Sequence, residues 1–255
     1  MDDNLLLSKL IPIAENAGSA ILEIYKKGIE TSFKEDGSPV TNADKKSEEI
    51  ILSGIKSITN EFEIISEENS ASHKIIPSSS FFLVDPIDGT KEFLRKDGLG
   101  AFTVNIALIK NKKPTLGVVY APALGRLFYG SINNGAYETF KGKTKNIKIR
   151  EIPLNGPLAV ASKSHKDKST ENWLLNNNIN QTISTGSSVK FCLIASGEAD
   201  VYPRFGPTME WDTAAGDAVL CSAGGKVVNP DGSDFLYAKQ NYKNGPFIAL
   251  GNFKL

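Results

Sequence analysis

Two carboxylates beside a short apolar run are the residues of this chain best placed to do chemistry. Asp85 and Asp88 lie in the segment Asp85-Pro86-Ile87-Asp88-Gly89-Thr90, after apolar residues 81–84 that predict a strand covered on both faces. We expect Pro86 to end this strand and Gly89 to allow a tight turn, so that both acids emerge where open α/β sheets bind ligands. Such carboxylates repel each other unless a cation lies between them, and oxygen ligands suit Mg²⁺, which usually brings a phosphate. Taken alone, the segment is equally consistent with a solvated turn.

A second acidic pair follows another predicted strand. Residues 62–65 are strand formers and run directly into Glu67 and Glu68. Because adjacent residues of a strand point to opposite sides, we expect Glu67 to belong to a site and Glu68 to be only its neighbour.

Two isolated acids complete the set of candidate ligands. Asp212 stands at or just before an Ala-rich helical pattern, residues 214–223, and Asp44 begins a helical pattern that ends near residue 58. Considered alone, each is explained most simply as a helix N-cap. One helical turn beyond Asp212, Asp217 would add negative charge near the site or face solvent. The joint pattern of these acids is harder to explain structurally than any one of them.

The joint pattern resembles the inositol monophosphatase superfamily of Mg²⁺-dependent, lithium-sensitive phosphatases, over roughly residues 5–251. Within it, residues 85–93, 162–165 and 186–216 are similar to the CysQ-type 3′(2′),5′-bisphosphate nucleotidases. Inositol enzymes usually continue the Asp-Gly-Thr motif with Thr-x-Asn-Phe, whereas this chain has Lys91-Glu92-Phe93. The resemblance implies an α/β (α+β) chain, folded as a layered αβαβα sandwich of the inositol monophosphatase and fructose-1,6-bisphosphatase type.

The resemblance also implies a ligand set for two or three Mg²⁺ ions. Glu67, Asp85 and the backbone carbonyl of Ile87 would hold the first ion. Asp85, Asp88 and Asp212 would hold the second, so that Asp85 bridges the pair. Two metals about 3.5–4 Å apart can clamp the attacking and leaving oxygens of an in-line phosphoryl displacement.

The same resemblance implies the catalytic residues. A water on the first ion would be the nucleophile, oriented by Thr90, whose hydroxyl is polarised by Asp44. Glu67 would assist as a base, and the amides of Gly89 and Thr90 would point at the phosphate.

Substrate-binding residues are expected where donors and positive charge follow the motifs, because a nucleoside bisphosphate carries a second phosphate. The candidates are Gly89, Thr90, Lys91, Ser162, Ser164, His165, Gly186, Ser187, Lys190, Arg204 and Asp212. The segment 162–165 is equally consistent with an exposed Ser/His loop. Lys163 stands where the nucleotidase motif usually has Arg, which keeps the charge but loses bidentate binding.

Composition excludes several other classes of protein. The 255 residues carry 29 basic and 29 acidic side chains, so no global charge favours nucleic acid or anionic membranes. Cys192 and Cys221 lie in apolar helical patterns and are expected to be buried free thiols of a reducing compartment. The acidic start and the lack of a long apolar run predict no signal peptide and no integral membrane segment, hence a cytoplasmic protein. We expect a monomer or homodimer, although no sequence pattern fixes the oligomeric state. Peripheral membrane association, seen for some relatives, has no visible anchor.

The rest of the chain predicts two halves. Residues 1–150 would hold an N-terminal amphipathic helix (residues 5–27), the motif strands and a meander of strands at 101–109, 115–120 and 127–130. The polar stretch 141–148 is turn-like, and residues 151–255 form a second α/β half with the remaining substrate residues and Asp212.

The resemblance implies a Mg²⁺-dependent phosphomonoesterase acting on adenosine 3′,5′-bisphosphate, a by-product of sulfotransfer. One alternative is an inositol or sugar phosphate monoesterase with the same catalytic parts. The other is a non-catalytic regulator that keeps the fold to bind a macromolecule. Against this alternative, the chain has a suitable residue at every expected metal-ligand position.

Overall fold

Helices and strands cover most of the computed structural model, which describes residues 2–34, 37–94, 101–162 and 168–255. The helices are α1 (Asp3–Lys27), α2 (Asn42–Ile58), α3 (Thr90–Leu94), α4 (Lys168–Asn176), α5 (Val189–Ala195) and α6 (Ala214–Ser222). The strands are β1 (Thr31–Phe33), β2 (Pro39–Thr41), β3 (Glu63–Ser66), β4 (Ser80–Asp88), β5 (Thr103–Lys110), β6 (Lys113–Ala121), β7 (Arg126–Ser131), β8 (Gly135–Phe140), β9 (Lys143–Ile147), β10 (Leu158–Ser162), β11 (Gln181–Thr185), β12 (Val201–Arg204), β13 (Thr208–Met209), β14 (Lys226–Val228), β15 (Lys243–Asn244) and β16 (Phe247–Leu250). Two 3₁₀ turns span Ser72–Lys74 and Gln240–Tyr242.

A seven-stranded sheet, in the order β3-β4-β5-β6-β7-β8-β9, carries the first motifs. β3 and β4 run parallel, whereas each later pair is antiparallel. The alternating side chains of β4 explain its apolar run, because the strand is covered on both faces. Phe82 and Val84 belong to the core cluster with α1 and α2, whereas Phe81 and Leu83 belong to the cluster with α5 and α6.

A five-stranded sheet, in the order β11-β10-β12-β16-β14, forms the second layer of strands. Val160 and Tyr202 face the cluster that contains α5 and α6, while Ala159 and Val201 face Leu174 of α4. The layers therefore run from α1 and α2 through the larger sheet, α5 and α6, and the smaller sheet to α4. This arrangement confirms the αβαβα sandwich expected from the sequence.

Pro86 does not end β4, so that part of the sequence prediction is wrong. The strand continues to Asp88, and its register with β5 shifts between Asp85 and Asp88. A register irregularity accommodates proline because the residue there need not donate a ladder hydrogen bond.

The polar stretch 141–148 is also not merely a turn. It contains the edge strand β9, which pairs with β8 through a tight connection at Lys141 and Gly142. Most of β9 is exposed, so the strand has no alternation of apolar residues that could reveal it. The division into halves at residue 150 stays a prediction, since the two sheets fall on either side of it but share one core cluster.

Helix α1 is long and apolar enough to cross a membrane by length and composition alone, which the sequence reading did not anticipate. Leu10, Ala17 and Ile21 of its apolar stripe are fully buried in the cluster shared with the larger sheet, and Ile13 and Ile24 are partly buried against it. In this fold it is packed as a core helix.

Candidate active site

Three carboxylates from distant parts of the chain converge at one edge of the larger sheet. Because β3 and β4 are parallel, Glu67 and Asp85 lie near the same strand ends, and the segment before α6 adds Asp212. One carboxylate oxygen of each residue lies within 4.8 Å of the others. Oxygen atoms at this spacing can share a small divalent cation.

Asp85 is the most strongly constrained member of this cluster. It is buried, its Oδ1 accepts a hydrogen bond from the Ile87 amide at 3.0 Å, and its Oδ2 has no hydrogen-bond partner among the described residues. Burial, followed by repulsion from Glu67, Asp88 and Asp212, raises its pKa well above the ordinary value. A cation at Asp85 Oδ2 would relieve both the missing partner and the repulsion, so this donor set fits a hard metal ion such as Mg²⁺.

Asp88 and Asp212 are joined through Ser188, which precedes α5. The Ser188 hydroxyl lies 3.1 Å from Asp88 Oδ2 and 2.8 Å from the carbonyl oxygen of Asp212, and it accepts a hydrogen bond from Asn105 at 3.0 Å. The Asp212 carboxylate itself accepts from the Met209 amide at 2.8 Å. Burial raises the pKa of Asp88 to about 6 and that of Asp212 well above its ordinary value. Asp88 is not within the three-carboxylate cluster, although it lines the same cavity.

Lys34, just after β1, supplies a positive charge to the second acidic pair. Its Nζ lies 2.9 Å from Glu67 Oε1 and 2.7 Å from Glu68 Oε1. Burial disfavours the charged lysine, but the two carboxylates outweigh that effect and raise its pKa. Burial also raises the pKa of Glu68 to about 7. The sequence-based expectation that Glu67 and Glu68 point to opposite sides is therefore wrong. Both residues follow β3 in a turn, where the alternation of a strand does not apply.

Thr90 and Asp44 meet as the resemblance implied. The Thr90 hydroxyl lies 3.3 Å from Asp44 Oδ1 and 3.2 Å from the carbonyl oxygen of Ile87. Asp44 is buried at the start of α2, where its Oδ2 also caps the helix by accepting from the amide and hydroxyl of Thr41. Burial raises the pKa of Asp44, and the bonds from Thr41 oppose that shift.

A cavity of about 450 Å³ opens above these acids. Lys190, at its lining, is buried, donates to the Ser187 carbonyl at 2.6 Å and lies over the Tyr202 ring at 5.2 Å. Burial lowers the pKa of Lys190 to about 8, against the attraction of Asp88. Arg204 Nε is buried and has no hydrogen-bond partner among the described residues.

Most of the predicted site residues line this one cavity. They are Glu67, Asp85, Ile87, Asp88, Gly89, Thr90, Lys91, Gly186, Ser187, Lys190, Arg204 and Asp212. Ser162 ends β10 and pairs with Thr185 of β11, so Ser162 and Gly186 lie at the same edge of the smaller sheet. Lys163, Ser164 and His165 lie outside the described residues. The roles assigned to all of these residues stay predictions.

Three residues that contact the candidate active site were not predicted from the sequence. Lys34 belongs to a short polar hairpin, and the hydroxyl of Ser188 was overlooked in favour of nearby backbone amides. His73, one of only two histidines, contacts segments on both sides of the site. The rarity of histidine was the available signal for His73, whereas no local pattern marks Lys34.

This chain belongs to the inositol monophosphatase family, which matches residues 3–249. The enzymes of this family are metal-dependent phosphatases, in agreement with the carboxylate cluster.

Individual relatives indicate which enzymes of the family this chain resembles. The 3′(2′),5′-bisphosphate nucleotidase CysQ of Salmonella typhimurium is 42% identical over 246 residues, which are 95% of this chain and 98% of that protein. The crystal structure of CysQ from Bacteroides thetaiotaomicron has 35% identity and a TM-score of 0.83, covering 97% of each chain. An inositol monophosphatase from Anabaena has 25% identity and a TM-score of 0.75, covering 97% of this chain and 90% of its own. Identity to these two CysQ proteins therefore exceeds identity to this inositol enzyme.

Proposed function

We propose that this chain is a Mg²⁺-dependent 3′(2′),5′-bisphosphate nucleotidase that hydrolyses adenosine 3′,5′-bisphosphate to AMP and phosphate. The observation that carries the proposal is one cavity lined both by the carboxylate cluster and by Lys190 and Arg204. The 42% identity to the Salmonella nucleotidase supports the choice of nucleotide. A volume of about 450 Å³ is in the range of small-molecule sites.

The metal ligands are proposed to be Glu67, Asp85, the Ile87 carbonyl, Asp88 and Asp212. The support is the short spacing of three of these carboxylates and the unpartnered buried oxygen of Asp85. When bound, Mg²⁺ neutralises phosphate charge and acidifies a water for in-line attack. Two or three ions are proposed by resemblance to the superfamily.

Thr90 and Asp44 orient the attacking water. Because the single hydroxyl proton of Thr90 can be donated to Asp44 Oδ1 or to the Ile87 carbonyl, the lone pairs of the hydroxyl oxygen can accept a hydrogen bond from that water. Glu67 receives the proton that the water loses as its oxygen bonds to phosphorus. The bond between phosphorus and the 3′ oxygen breaks, and the departing oxygen takes a proton from solvent.

Cationic and amide groups hold the two phosphates. The amides of Gly89 and Thr90 bind the reacting group, and Lys190 and Arg204 bind the second phosphate by charge-assisted hydrogen bonds. The free Nε of Arg204 supports this role. The remaining substrate contacts are proposed to come from Lys91, Ser162, Ser164, His165, Gly186, Ser187 and Asp212.

Phosphate release from adenosine 3′,5′-bisphosphate and from inositol 1-phosphate, measured with Mg²⁺ and with or without lithium, tests the proposal. We expect the nucleotide to be strongly preferred, lithium to inhibit, and Asp85→Asn to abolish release, while the exposed Asp231→Asn control remains active. Preference for the inositol ester would retain the metal site but overturn the substrate. Release from neither substrate would favour a non-catalytic binding role.

We further propose that the enzyme works in the cytoplasm on small molecules, as a monomer or homodimer. The free thiols of Cys192, which is buried, and Cys221, which is half-buried, support a reducing compartment. Cell fractionation and sedimentation of the purified chain measure these two properties separately.

A further inference from the structure

His73 touches both segments that carry the outer members of the carboxylate cluster. Its Nε2 lies 2.8 Å from the carbonyl oxygen of Ser66, the residue before Glu67. Its ring stacks on Trp211, the residue before Asp212, with ring centroids 4.7 Å apart and planes inclined by 22°. His73 therefore spans the gap between the two ligand-bearing segments without occupying a ligand position.

The contact with Trp211 is part of a fixed arrangement. Trp211 is only 4% exposed and also packs against Tyr242, at a centroid distance of 6.2 Å. The Tyr242 hydroxyl donates to the carbonyl of Ile75 at 2.6 Å, and the Tyr242 carbonyl accepts from the Glu210 amide at 2.8 Å. The turn that contains His73 is thus tied to the segment before Asp212 directly by the stack on Trp211, and indirectly through Tyr242, which packs against Trp211 and donates to the carbonyl just after the turn.

The contact with Ser66 is equally constrained. The Ser66 amide donates to the Ser72 hydroxyl at 3.1 Å, so the turn Ser72–Lys74 binds Ser66 through both its donor and its acceptor. The Glu67 amide donates to the Val84 carbonyl of β4 at 3.1 Å. The backbone position of Glu67 is consequently set by β4 on one side and by the His73 turn on the other.

We propose that His73 is a positioning residue that holds Glu67 and Asp212 at the spacing required to share a metal ion. The physical need is clear, because carboxylates gathered within 4.8 Å repel one another and would separate if their backbones were not tied together. A hydrogen bond to one segment and a stacked ring on the other supply that tie. The inference rests on the proposed function, since Glu67 and Asp212 are proposed ligands.

Mg²⁺ titration by calorimetry, without substrate, tests the role of His73. In His73→Ala we expect Mg²⁺ affinity to fall about tenfold, as for residues that orient metal ligands. His73→Gln keeps a donor near the Nε2 position and His73→Phe keeps a stacking ring, so each should recover part of the loss. Phe253→Ala is the matched control, because it removes the contact of Trp173 and Phe253 (centroids 6.1 Å apart) and should lower the melting temperature without changing Mg²⁺ affinity.

The fluorescence of Trp211 provides a second readout. The chain has two tryptophans, so Trp173→Phe leaves Trp211 as the sole tryptophan, and the Mg²⁺ concentration that half-saturates its emission change should rise about tenfold in His73→Ala. If the wild type binds no Mg²⁺, the proposed function fails. If the wild type binds Mg²⁺ and His73→Ala binds it equally well, His73 has only a structural role and the inference is overturned. Should His73→Ala not fold, equal affinities in the Gln, Phe and wild-type proteins would overturn it.

Discussion

Asp44 serves a helix with one carboxylate oxygen and faces the hydroxyl of Thr90, which we propose to be catalytic, with the other. Its Oδ2 closes the capping box of α2 with Thr41, and its Oδ1 faces Thr90 at 3.3 Å. The sequence suggested both roles as alternatives, but a carboxylate has enough acceptor sites to perform both. A local explanation for one acid therefore did not exclude membership of the site.

Replacement of Thr90 by valine tests the hydroxyl that Asp44 faces. Thr90→Val retains the shape but cannot orient water, and we expect kcat to fall about 100-fold, in the range of positioned proton-transfer groups. Thr90→Ser keeps the hydroxyl and is expected to retain most activity. Both variants should bind Mg²⁺ like the wild type in calorimetry. A fully active Thr90→Val enzyme would remove Thr90 from the mechanism.

Replacement of Arg204 by glutamine tests recognition of the second phosphate. Loss of a charge-assisted hydrogen bond costs about 1.5–3 kcal/mol, so we expect KM for adenosine 3′,5′-bisphosphate to rise at least about tenfold. Arg204→Lys keeps the charge and should show a smaller rise. The comparison substrate is inositol 1-phosphate, which has no second phosphate, so its KM should stay unchanged. An equal rise for both substrates would show that Arg204 does not distinguish the second phosphate.

Strand β4 shows which parts of the site could be predicted from sequence and which could not. Its apolar run and its two acids are local features, so their position at the sheet edge could be predicted. The pairing of Lys34 with Glu67 and the stacking of His73 on Trp211 could not, because the partners are far apart in the chain. The prediction that β4 ends at Pro86 was wrong because proline ends many strands, whereas a register irregularity accommodates it here.

The turn between β4 and α3 depends on the backbone of Gly89, which has φ +91°. An added Cβ would lie 3.0 Å from the carbonyl oxygen of Ala101, whereas Gly125, at φ +63°, has open space around it. We expect Gly89→Ala and Gly125→Ala each to lose about 1–2 kcal/mol of unfolding free energy from the left-handed backbone. Only Gly89→Ala should also lower kcat, since it displaces the turn that carries the proposed catalytic residue Thr90. Equal activity in the two variants would contradict this role of the turn.

The two sheets are held together by a shared core that also contains a buried acid. Asp217 on α6 is 3% exposed, which excludes the expectation that it faces solvent. The Tyr237 hydroxyl donates to its Oδ2 at 2.9 Å, and the Cys221 thiol donates to its Oδ1 at 3.1 Å. Burial nevertheless outweighs these bonds and raises the pKa of Asp217 to about 6. The stability of the whole molecule is therefore linked to pH through this residue.

Comparison of the wild type with Asp217→Asn isolates that linkage. Below about pH 3 the carboxyl is protonated in both folded and unfolded chains, and its contribution to stability is fully present. Between pH 4 and 6 the unfolded chain releases the proton while the folded chain retains it, so stability falls as pH rises. Above pH 6 the loss is complete and amounts to about 3 kcal/mol for a shift of about two pKa units.

Urea unfolding with EDTA at pH 4 and pH 7 measures this difference without metal. We expect the free energy of unfolding of the wild type, relative to Asp217→Asn, to decrease by about 2.5 kcal/mol between the two pH values, because the unfolded carboxyl is already about half ionised at pH 4. The exposed Asp231→Asn variant is the control, and its difference from the wild type should not decrease in this way. A constant difference between wild type and Asp217→Asn would mean that Asp217 titrates alike in both states. The bonds from Tyr237 and Cys221 would then compensate fully for its burial.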